Sequence, residues 1–404
     1  MRVAFFNRSY WPDTGATGQL LTELAEDLVS RYGWQVTVVT GHSHAAGVRR
    51  PSREVRNGVL IVRAAGTTFA PRRFVGRAAN YLTYFCSACL VALRLPRQDV
   101  VVAMTDPPII GLVALAARGR RRFVFYCQDI FPEVAVLLED FRSPLVDWLL
   151  ERLNRAIVRR ADTIIAIGET MQRRLVEGKG ADPSRIRVVH NWADTRAIVP
   201  SPKDNPFAAA HGLVDRFVVL HAGNIGLSQN LDVVMDAAAV LSHRDDVVFL
   251  FVGDGNRRRA LEAAATARGL TNVRFLPYQP REALRWTYAS ADVCLVSLRP
   301  GLAGVIVPSK LYPILAAGRP CLAAVEPASE PAAVIEQYGC GVRVPPGDAQ
   351  ALAAAVERLA DQPGERAEMG RRARAASAAF SREGQVARLA EALGGPPAAE
   401  QPRC

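Results

Sequence analysis

The 404-residue sequence has very few lysines and lacks the common metal-binding and nucleotide-hydrolysis motifs. Lysine occurs only at positions 179, 203 and 310, so arginine supplies nearly all of the net charge of +11. No P-loop, no Asp-x-Asp and no Cys/His cluster with metal-ligand spacing occurs, which argues against an ATPase and against a metal–nucleotide centre. Neither a Cys/His finger nor an RNA-binding aromatic pattern is present, so nucleic acid is not expected as a partner despite the basic balance.

Long apolar runs and paired cysteines are also missing. No apolar run reaches about 18 residues, so no membrane-spanning helix is expected, and the N-terminus does not have the features of a signal peptide. The seven cysteines lie mostly in apolar runs, which is typical of reduced, buried thiols and favours a cytoplasmic location. Cys86 and Cys89 form an isolated C-x-x-C in an apolar helical pattern, where packing is a better interpretation than zinc or redox chemistry.

The sequence does contain a repeated alternation of buried strands, glycine-bearing loops and amphipathic helices. A strand at 3–6, a loop at 7–18, a helix at 19–32 and a strand at 36–40 predict a βαβ unit. Residues 194–215 contain three prolines and little periodicity, and the alternation then restarts. We therefore predict an α/β protein with two doubly wound, Rossmann-like domains.

Three glycine-bearing loops in the second half follow predicted strands, at 222–230, 253–255 and 301–310. The last loop carries Lys310 into the start of a helix, where free N–H groups and the helix dipole favour an anion. Taken alone, the stretch 301–320 is equally well explained as an ordinary loop–helix joint. Three such loops at one edge of one sheet favour a phosphate-bearing ligand.

The first half offers polar residues in the corresponding positions. Gln128, Asp129 and Glu133 follow a strand at 123–127, and side chains just past the carboxyl end of a buried strand lie on the ligand side of such sheets. Asp129 or Glu133 could act as an acid or base, position a ligand or cap a helix. For the loop at 7–18, a tight strand-to-helix turn is a better interpretation than a ligand site.

A basic and aromatic stretch at 69–97 has two interpretations of similar weight. Arg72, Arg73 and Arg77 precede an apolar helical pattern, which suits docking on an anionic membrane surface. A helix that is apolar nearly all round is also typical of a buried core helix behind a basic loop.

Six segments together resemble glycosyltransferase family 4 of the GT-B fold, and in particular the bacterial enzymes of O-antigen and exopolysaccharide assembly, such as the colanic-acid-type sugar transferases. The resemblance covers residues 1 to about 390. The segments are Tyr10–Gly15, Gln128–Glu133, Asn191–Trp192, His221–Gly226, Val252–Gly255 and Pro308–Tyr312.

This resemblance implies two facing domains with an interdomain cleft. The N-terminal domain, 1–195, would bind the acceptor, and a helix at 376–394 would pack back onto it. A linker at 196–215 would lead to a nucleotide-sugar-binding domain at 216–375. The last residues, 395–404, are expected to form a disordered tail.

The resemblance also implies roles for single residues. Lys310 and Asp129 would be catalytic, and Gln128 and Glu133 would lie on the acceptor side. The donor-binding residues would be Gly15, Gly18, Asn191, Gly223, Asn224, Gly226, Ser228, Gly253, Asp254, Gly255, Tyr278, Ser309, Lys310 and Tyr312. The donor would be a nucleotide-diphosphate sugar, with UDP as the expected nucleotide, and neither a metal nor another cofactor is expected.

The implied activity is retaining transfer of a sugar to a lipid-linked or polysaccharide-precursor acceptor, by a cytoplasmic enzyme peripheral to the inner face of the plasma membrane. The chain departs from the family pattern because Val305 and Pro313 stand where a Glu-x7-Glu pair is common, and Gln128 replaces a familiar His. Arg8 or Arg257 could supply the missing charge. Two alternatives remain, a nucleotide-sugar 2-epimerase and a catalytically inactive transferase-like subunit.

Overall fold

The computed structural model describes residues 1–13, 15–42, 50–69, 74–119, 121–138 and 143–395, and these divide into two compact units. The first unit is drawn from Met1–His190 and Glu383–Cys404, and the second is Asn191–Arg382. Each unit contains one mainly parallel sheet with helical connections. The predicted fold class of two doubly wound, Rossmann-like α/β domains is therefore confirmed.

The sheet of the first unit has eight strands among its described residues. They are β1 (Arg2–Phe6), β2 (Gln35–Thr40), β3 (Arg53–Arg56), β4 (Val59–Arg63), β5 (Val100–Ala103), β6 (Arg122–Cys127), β7 (Thr163–Ala166) and β8 (Ile186–Val188). Their spatial order is β3-β4-β2-β1-β5-β6-β7-β8, with β3 antiparallel to β4 and the other pairs parallel. The helices are α1 (Ala16–Tyr32), α2 (Phe74–Arg94), α3 (Ile110–Ala117), α4 (Glu133–Leu138), α5 (Pro144–Arg160) and α6 (Glu169–Lys179).

The sheet of the second unit is parallel throughout. Its strands are β9 (Phe217–Ala222), β10 (Val247–Val252), β11 (Val273–Leu276), β12 (Val293–Ser297), β13 (Cys321–Ala324) and β14 (Gly341–Val344), in the order β11-β10-β9-β12-β13-β14. Its helices are α7 (Pro206–Ala210), α8 (Asp232–Val240), α9 (Arg258–Ala267), α10 (Leu284–Ala289), α11 (Leu311–Ala316), α12 (Glu330–Tyr338), α13 (Ala349–Asp361) and α14 (Pro363–Ala376).

Hydrophobic burial explains the central strands of both sheets. Every residue of β9 and of β10 is buried, and these strands are rich in Val, Leu and Phe rather than alternating polar with apolar residues. Such continuous burial is typical of parallel strands covered by helices on both faces. Sequence reasoning missed β3 and β14, because β3 alternates exposed and half-buried residues and β14 is a short strand at the edge of its sheet.

The strand order reverses at one place in each sheet, and this place positions the candidate sites. In the first sheet the reversal lies between β1 and β5, and in the second it lies between β9 and β12. Ligands of open α/β sheets bind outside the carboxyl ends of the strands at such reversals. The loops after β1, β5, β9 and β12 are therefore the places to look for ligand-binding side chains.

The last helix returns to the first unit. Helix α15 (Arg382–Ala392) buries Val386 and Leu389 completely, and Gln385 Oε1 accepts a hydrogen bond from His190 N at 2.9 Å. The segment 376–394, predicted to pack back as one helix, is divided: α14 ends at Ala376 in the second unit, and the return begins at Glu383.

Other predicted boundaries differ in detail. The predicted linker, 196–215, belongs to the second unit and contains α7, whose first N–H groups donate to Asn205 Oδ1. The predicted tail lies outside the described residues, apart from residue 395. Within the described ranges, no helix combines the length and the apolar character that crossing a bilayer would need.

Candidate active site

The Lys310 ammonium group and the His221 imidazole lie close together at the strand-order reversal of the second sheet. Lys310 precedes α11, and its Nζ lies 3.1 Å from Nε2 and 3.4 Å from Nδ1 of His221 in β9. Burial lowers the pKa of Lys310 to about 7, and burial together with the charge of Lys310 lowers the pKa of His221. An anion beside Lys310 would favour the protonated ammonium, so this group can change its charge when a phosphate binds.

Two glycines bring the neighbouring loops into direct backbone contact. Gly223 follows β9 with φ of 120°, and Gly253 follows β10 with φ of 150°. A Cβ on Gly253 would overlap the carbonyl oxygen of Gly223, and a Cβ on Gly223 would lie 3.9 Å from Lys310 Cε. Only glycine fits this close approach, which opens a path to the backbone next to the lysine.

The rest of these loops is held by a short series of hydrogen bonds. Ile225 N donates to Asp254 O at 2.9 Å, and Gly226 N donates to Gln229 Oε1 at 2.9 Å. Tyr278, which is half exposed, lies with its hydroxyl 3.4 Å from Asp254 O. The predicted donor-binding residues that the structure brings together here are Gly223, Asn224, Gly226, Gly253, Asp254, Gly255, Tyr278 and Lys310.

Some predicted donor residues have other surroundings. Tyr312 is buried, and its ring packs against Phe380 at 5.2 Å between centroids, which is the role of a core side chain. Ser228 is buried, with its Oγ accepting from Gln229 Nε2 at 2.7 Å. Ser309 is partly exposed one position before Lys310, and Asn191 Oδ1 is buried without a hydrogen-bond partner among the described residues. Their roles toward a donor stay predictions.

A glutamate that the sequence did not indicate shapes the loop after β12. Glu326 Oε2 accepts from Gly301 N at 2.9 Å and from Ala303 N at 3.3 Å. Val305, at one expected glutamate position, is buried. A carboxylate from beyond β13 therefore organises the loop that lacks a glutamate of its own.

In the first unit, the reversal between β1 and β5 is rich in charged side chains. Arg8 Nε bonds Asp106 Oδ1 at 3.1 Å, and the guanidinium lies 5.2 Å from the ring centroid of Tyr81. Ser9 Oγ donates to the other carboxylate oxygen of Asp106. Arg257, the other arginine considered as a source of missing charge, lies in the second unit, where its Nη2 donates to both carboxylate oxygens of Asp232 at 2.7 and 2.8 Å.

Asp129 lies just after β6, next to this cluster. Burial and the charge of Asp106 raise the pKa of Asp129 to about 6. A carboxyl group with that pKa can accept a proton near neutral pH.

The two glycines predicted to bind the donor from the first unit differ in exposure. Gly15, the N-cap of α1, is exposed, whereas Gly18 in the first turn of that helix is buried.

The two predicted acceptor-side residues differ in their surroundings. Gln128 is buried, and its Nε2 has no hydrogen-bond partner among the described residues. Glu133 opens α4, and its Oε2 accepts from the buried Lys179 Nζ at 2.8 Å; that ammonium is shared with Glu151. This pairing gives Glu133 a structural partner, and its role toward an acceptor stays a prediction.

His221 lies within the segment His221–Gly226, but the family resemblance implied no role for this residue. The signal that could have found it is the position of a histidine at the end of a fully apolar strand, two residues before a loop glycine. The partner, Lys310, is 89 positions away in the chain, so their contact depends on the strand order rather than on local spacing.

Comparison with known proteins gives a family match in each half of the chain. Residues 15–192 match the family described as Glycosyl transferase 4-like domain, and residues 205–376 match Glycosyl transferases group 1. The chain is 29% identical to the Pseudomonas aeruginosa protein named as glycosyltransferase WbjE, over 71% of this chain and 72% of that protein. It is also 29% identical to the Escherichia coli K12 protein named as the colanic acid biosynthesis glycosyl transferase WcaI, over 89% of this chain and 92% of that protein.

Solved structures share the fold at low identity. The Anabaena protein HepE, in complex with UDP, matches with a TM-score of 0.74 and 19% identity, over 98% of this chain and 100% of that one. WaaG, a glycosyltransferase involved in lipopolysaccharide biosynthesis, matches with a TM-score of 0.73 and 17% identity, over the same shares. These neighbours confirm the predicted GT-B fold.

Proposed function

The chain belongs to the GT4-type, group 1 glycosyltransferases, and from this premise we propose that it transfers a sugar from a UDP-sugar to a lipid-linked acceptor during cell-surface polysaccharide synthesis. The proposal includes retention of the anomeric configuration and independence from metal. The names of WbjE and WcaI support the glycosyltransferase assignment, that of WcaI supports the polysaccharide setting, and the UDP complex of HepE supports the nucleotide.

The observation that carries the proposal is the position of Lys310 beside the glycine loops after β9 and β10. A diphosphate placed there would meet an ammonium group and the backbone of Gly223, where no Cβ keeps it away. Preorganised cations and N–H groups stabilise the charge that develops on a leaving diphosphate. Lys310 then supplies the charge, and His221 positions its ammonium.

In the first unit, we assign to Asp129 the role of binding the acceptor hydroxyl group. Its carboxyl follows β6 at the edge where acceptor-side residues were predicted, and its pKa of about 6 leaves it mostly ionised at neutral pH. In a retaining transfer the departing diphosphate assists the incoming hydroxyl, so the role of Asp129 is to orient that hydroxyl by accepting its hydrogen bond.

A lipid-linked acceptor requires access to a membrane surface, and the exposed side chains of α5 support this. Leu145, Trp148 and Leu149 are 72, 54 and 48% exposed near the start of the helix. Arg152, Arg155, Arg159 and Arg160 follow on the same helix and line a cavity together with Trp148. Apolar side chains next to arginines suit the interface of an anionic bilayer.

The stretch 69–97, for which the sequence left membrane docking and a core helix equally open, contributes in part. Leu82, Leu90 and Leu93 of α2 are more than half exposed, so this helix is not a fully buried core helix. Arg72 and Arg73 lie outside the described residues, as does the side chain of Arg77. Peripheral attachment to a membrane is therefore proposed on α5 and on these three leucines.

Thermal unfolding in the presence of UDP-, GDP- and dTDP-sugars tests donor binding. We expect a UDP-sugar to raise the unfolding temperature of the wild-type protein and to have little effect on Lys310→Ala. If no nucleotide sugar stabilises the wild-type protein, the transferase proposal fails and the inactive-subunit alternative is favoured. Conversion of the sugar nucleotide in the absence of an acceptor would instead indicate the epimerase.

Vesicle sedimentation tests the membrane contact. We expect wild-type protein to bind vesicles containing phosphatidylglycerol better than pure phosphatidylcholine, and Leu145→Ser with Trp148→Ser to reduce that binding. Val55→Ser is the matched control, because Val55 is an equally exposed apolar residue on β3 (69%) away from the α5 arginines. Equal loss in both variants would contradict a specific role for α5.

A further inference from the structure

A basic cavity lies within the second unit at the amino-terminal ends of the strands, whereas Lys310 lies at their carboxyl-terminal ends. Its volume is about 490 Å³, and its charged lining residues are Lys203, Asp292, Arg319, Arg366, Arg371 and Arg374. Asp292 and Arg319 come just before the amino ends of β12 and β13. Because all strands of this sheet are parallel, the cavity is separate from the glycine loops, which follow the carboxyl ends.

Positive charge in this cavity greatly exceeds negative charge. Five cationic side chains line it, and Asp292 is the single carboxylate in the lining. That carboxylate is already engaged, since its Oδ2 accepts from Val218 N at 2.8 Å and from Lys203 Nζ. Arg366 also pairs with Asp292 at 3.8 Å and Arg371 pairs with Glu368, whereas Arg319 and Arg374 donate to backbone carbonyl groups, so the lining keeps an excess of positive charge.

Backbone carbonyl groups hold several of these arginines in place. Arg374 Nη1 donates to Ala316 O at 2.9 Å, at the end of α11, and Arg319 Nη2 donates to Ser201 O at 2.9 Å. Arg366 Nη1 donates to Ala360 O at 3.3 Å, near the end of α13. These contacts fix the guanidinium groups but use only some of their five N–H donors, so donors remain for a ligand.

Arg319 is the clearest sign of a missing partner. Its Nε is buried and has no hydrogen-bond partner among the described residues, and burial lowers the pKa of this guanidinium. An arginine stays charged nevertheless. A buried, charged donor without an acceptor is costly, and a bound anion would offset that cost.

We propose that this cavity binds a small phosphate-bearing anion. Arginine forks match phosphate oxygens in pairs, and a volume of about 490 Å³ lies in the range of small-molecule sites. The cavity exceeds what inorganic phosphate alone fills, so the favoured ligand carries its phosphate on a larger group, such as a sugar phosphate. The site is distinct from the proposed donor site and does not depend on it.

Calorimetric titration of the full chain with inorganic phosphate and with glucose 1-phosphate tests this site. Arg371 lines the cavity and is mostly exposed, with Glu368 as its ion-pair partner, so Arg371→Gln should leave the fold intact. Arg372→Gln is the matched control, because Arg372 pairs with the same glutamate but is not part of the lining. We expect about tenfold weaker binding in Arg371→Gln, as the loss of one charged hydrogen bond implies, and little change in Arg372→Gln.

Two further arms separate the possible outcomes. Binding of both anions should survive in Lys310→Ala; its loss there would mean that the anion occupies the donor site, and the proposal would be wrong. Tighter binding of glucose 1-phosphate than of inorganic phosphate supports the sugar phosphate. Equal affinity of wild type and Arg371→Gln, or no saturable binding of either anion, would overturn the proposal whatever the outcome for UDP-sugars.

Discussion

The strand-order reversals of the two sheets have the same topology but are built from different chemical groups. In the first unit the loops after β1, β5 and β6 carry Arg8, Asp106 and Asp129, and side chains bond to one another there. In the second unit the loops after β9 and β10 meet through glycine backbone, and Lys310 and His221 lie beside them with side-chain nitrogens 3.1 Å apart.

This difference matches the proposed division of the transfer reaction, with the acceptor hydroxyl on the first unit and the diphosphate on the second. A hydroxyl group needs an acceptor for its hydrogen bond, which a carboxylate provides. A diphosphate needs cations and N–H groups at close range, and side chains other than glycine would keep the backbone away from it. One fold can therefore hold unlike substrates when only the residues at the reversal change.

The largest expected effect comes from adding a side chain at Gly253, where two glycine loops contact each other through their backbones. In Gly253→Ala the new methyl group would overlap Gly223 O at a backbone φ of 150°, so we expect a loss of roughly 3 kcal/mol or more in unfolding free energy. Denaturant unfolding measures this loss. Gly15→Ala is the control from the first unit, because apart from its chain neighbours no described residue has an atom within 4 Å of the added Cβ; equal destabilisation by both would remove the contrast between the units.

The next effect concerns charge at the second reversal. Lys310→Ala removes the ammonium beside Gly223, and we expect UDP to bind on the order of 100-fold more weakly, as for a lost charged hydrogen bond. Calorimetric titration with UDP measures the change. Arg259→Ala, an exposed cation of α9, should bind UDP like the wild type, and equal weakening there would point to general electrostatic attraction instead.

A pH profile sharpens the role of the first reversal. Because the pKa of Asp129 is raised from 3.8 to about 6, the transfer rate should rise as the pH increases through 6, which gives the pH–rate profile a rising limb. Asp129→Asn should lack this limb and should transfer about tenfold more slowly. Asp106→Asn should move the limb to lower pH, since one source of the raised pKa is gone. A limb that persists in Asp129→Asn belongs to another group.

The raised pKa of Asp129 also predicts how the free energy of unfolding depends on pH. The folded protein retains the proton on Asp129 in a pH range where the unfolded chain has released it, between 3.8 and about 6. The contribution of this group to stability is therefore lost as pH rises through that window. Asp129→Asn should flatten this part of the unfolding profile.

The smallest expected effect is proton uptake at Lys310. Since the pKa of this ammonium is about 7 in the ligand-free protein, UDP binding at pH 7.5 should take up a fraction of one proton. Calorimetry in two buffers of different ionisation enthalpy measures the uptake. The same uptake in Lys310→Ala would contradict the assignment to this lysine.

The sequence made the sheets predictable but not the contacts between loops. Apolar runs and glycine punctuation indicate β9, β10 and the loop with Lys310 correctly, because full burial leaves a strong hydrophobic signal. Long-range contacts leave no such signal: Glu326 reaches Gly301 over 25 positions, and the buried ring of Tyr312 could be recognised only from its packing on Phe380. Exposure of α5 was also unpredictable, since its apolar residues resemble those of a core helix.

The return of α15 to the first unit sets an order on assembly during synthesis. The second unit has all of its described strands once Val344 has left the ribosome, whereas the first unit receives Val386 and Leu389 only with α15, which follows the second unit in the chain. Domains generally fold in the order of translation, but here the unit that begins first is completed last. A nascent chain therefore carries an N-terminal unit with an uncovered apolar surface until α15 has been synthesised and packs onto it.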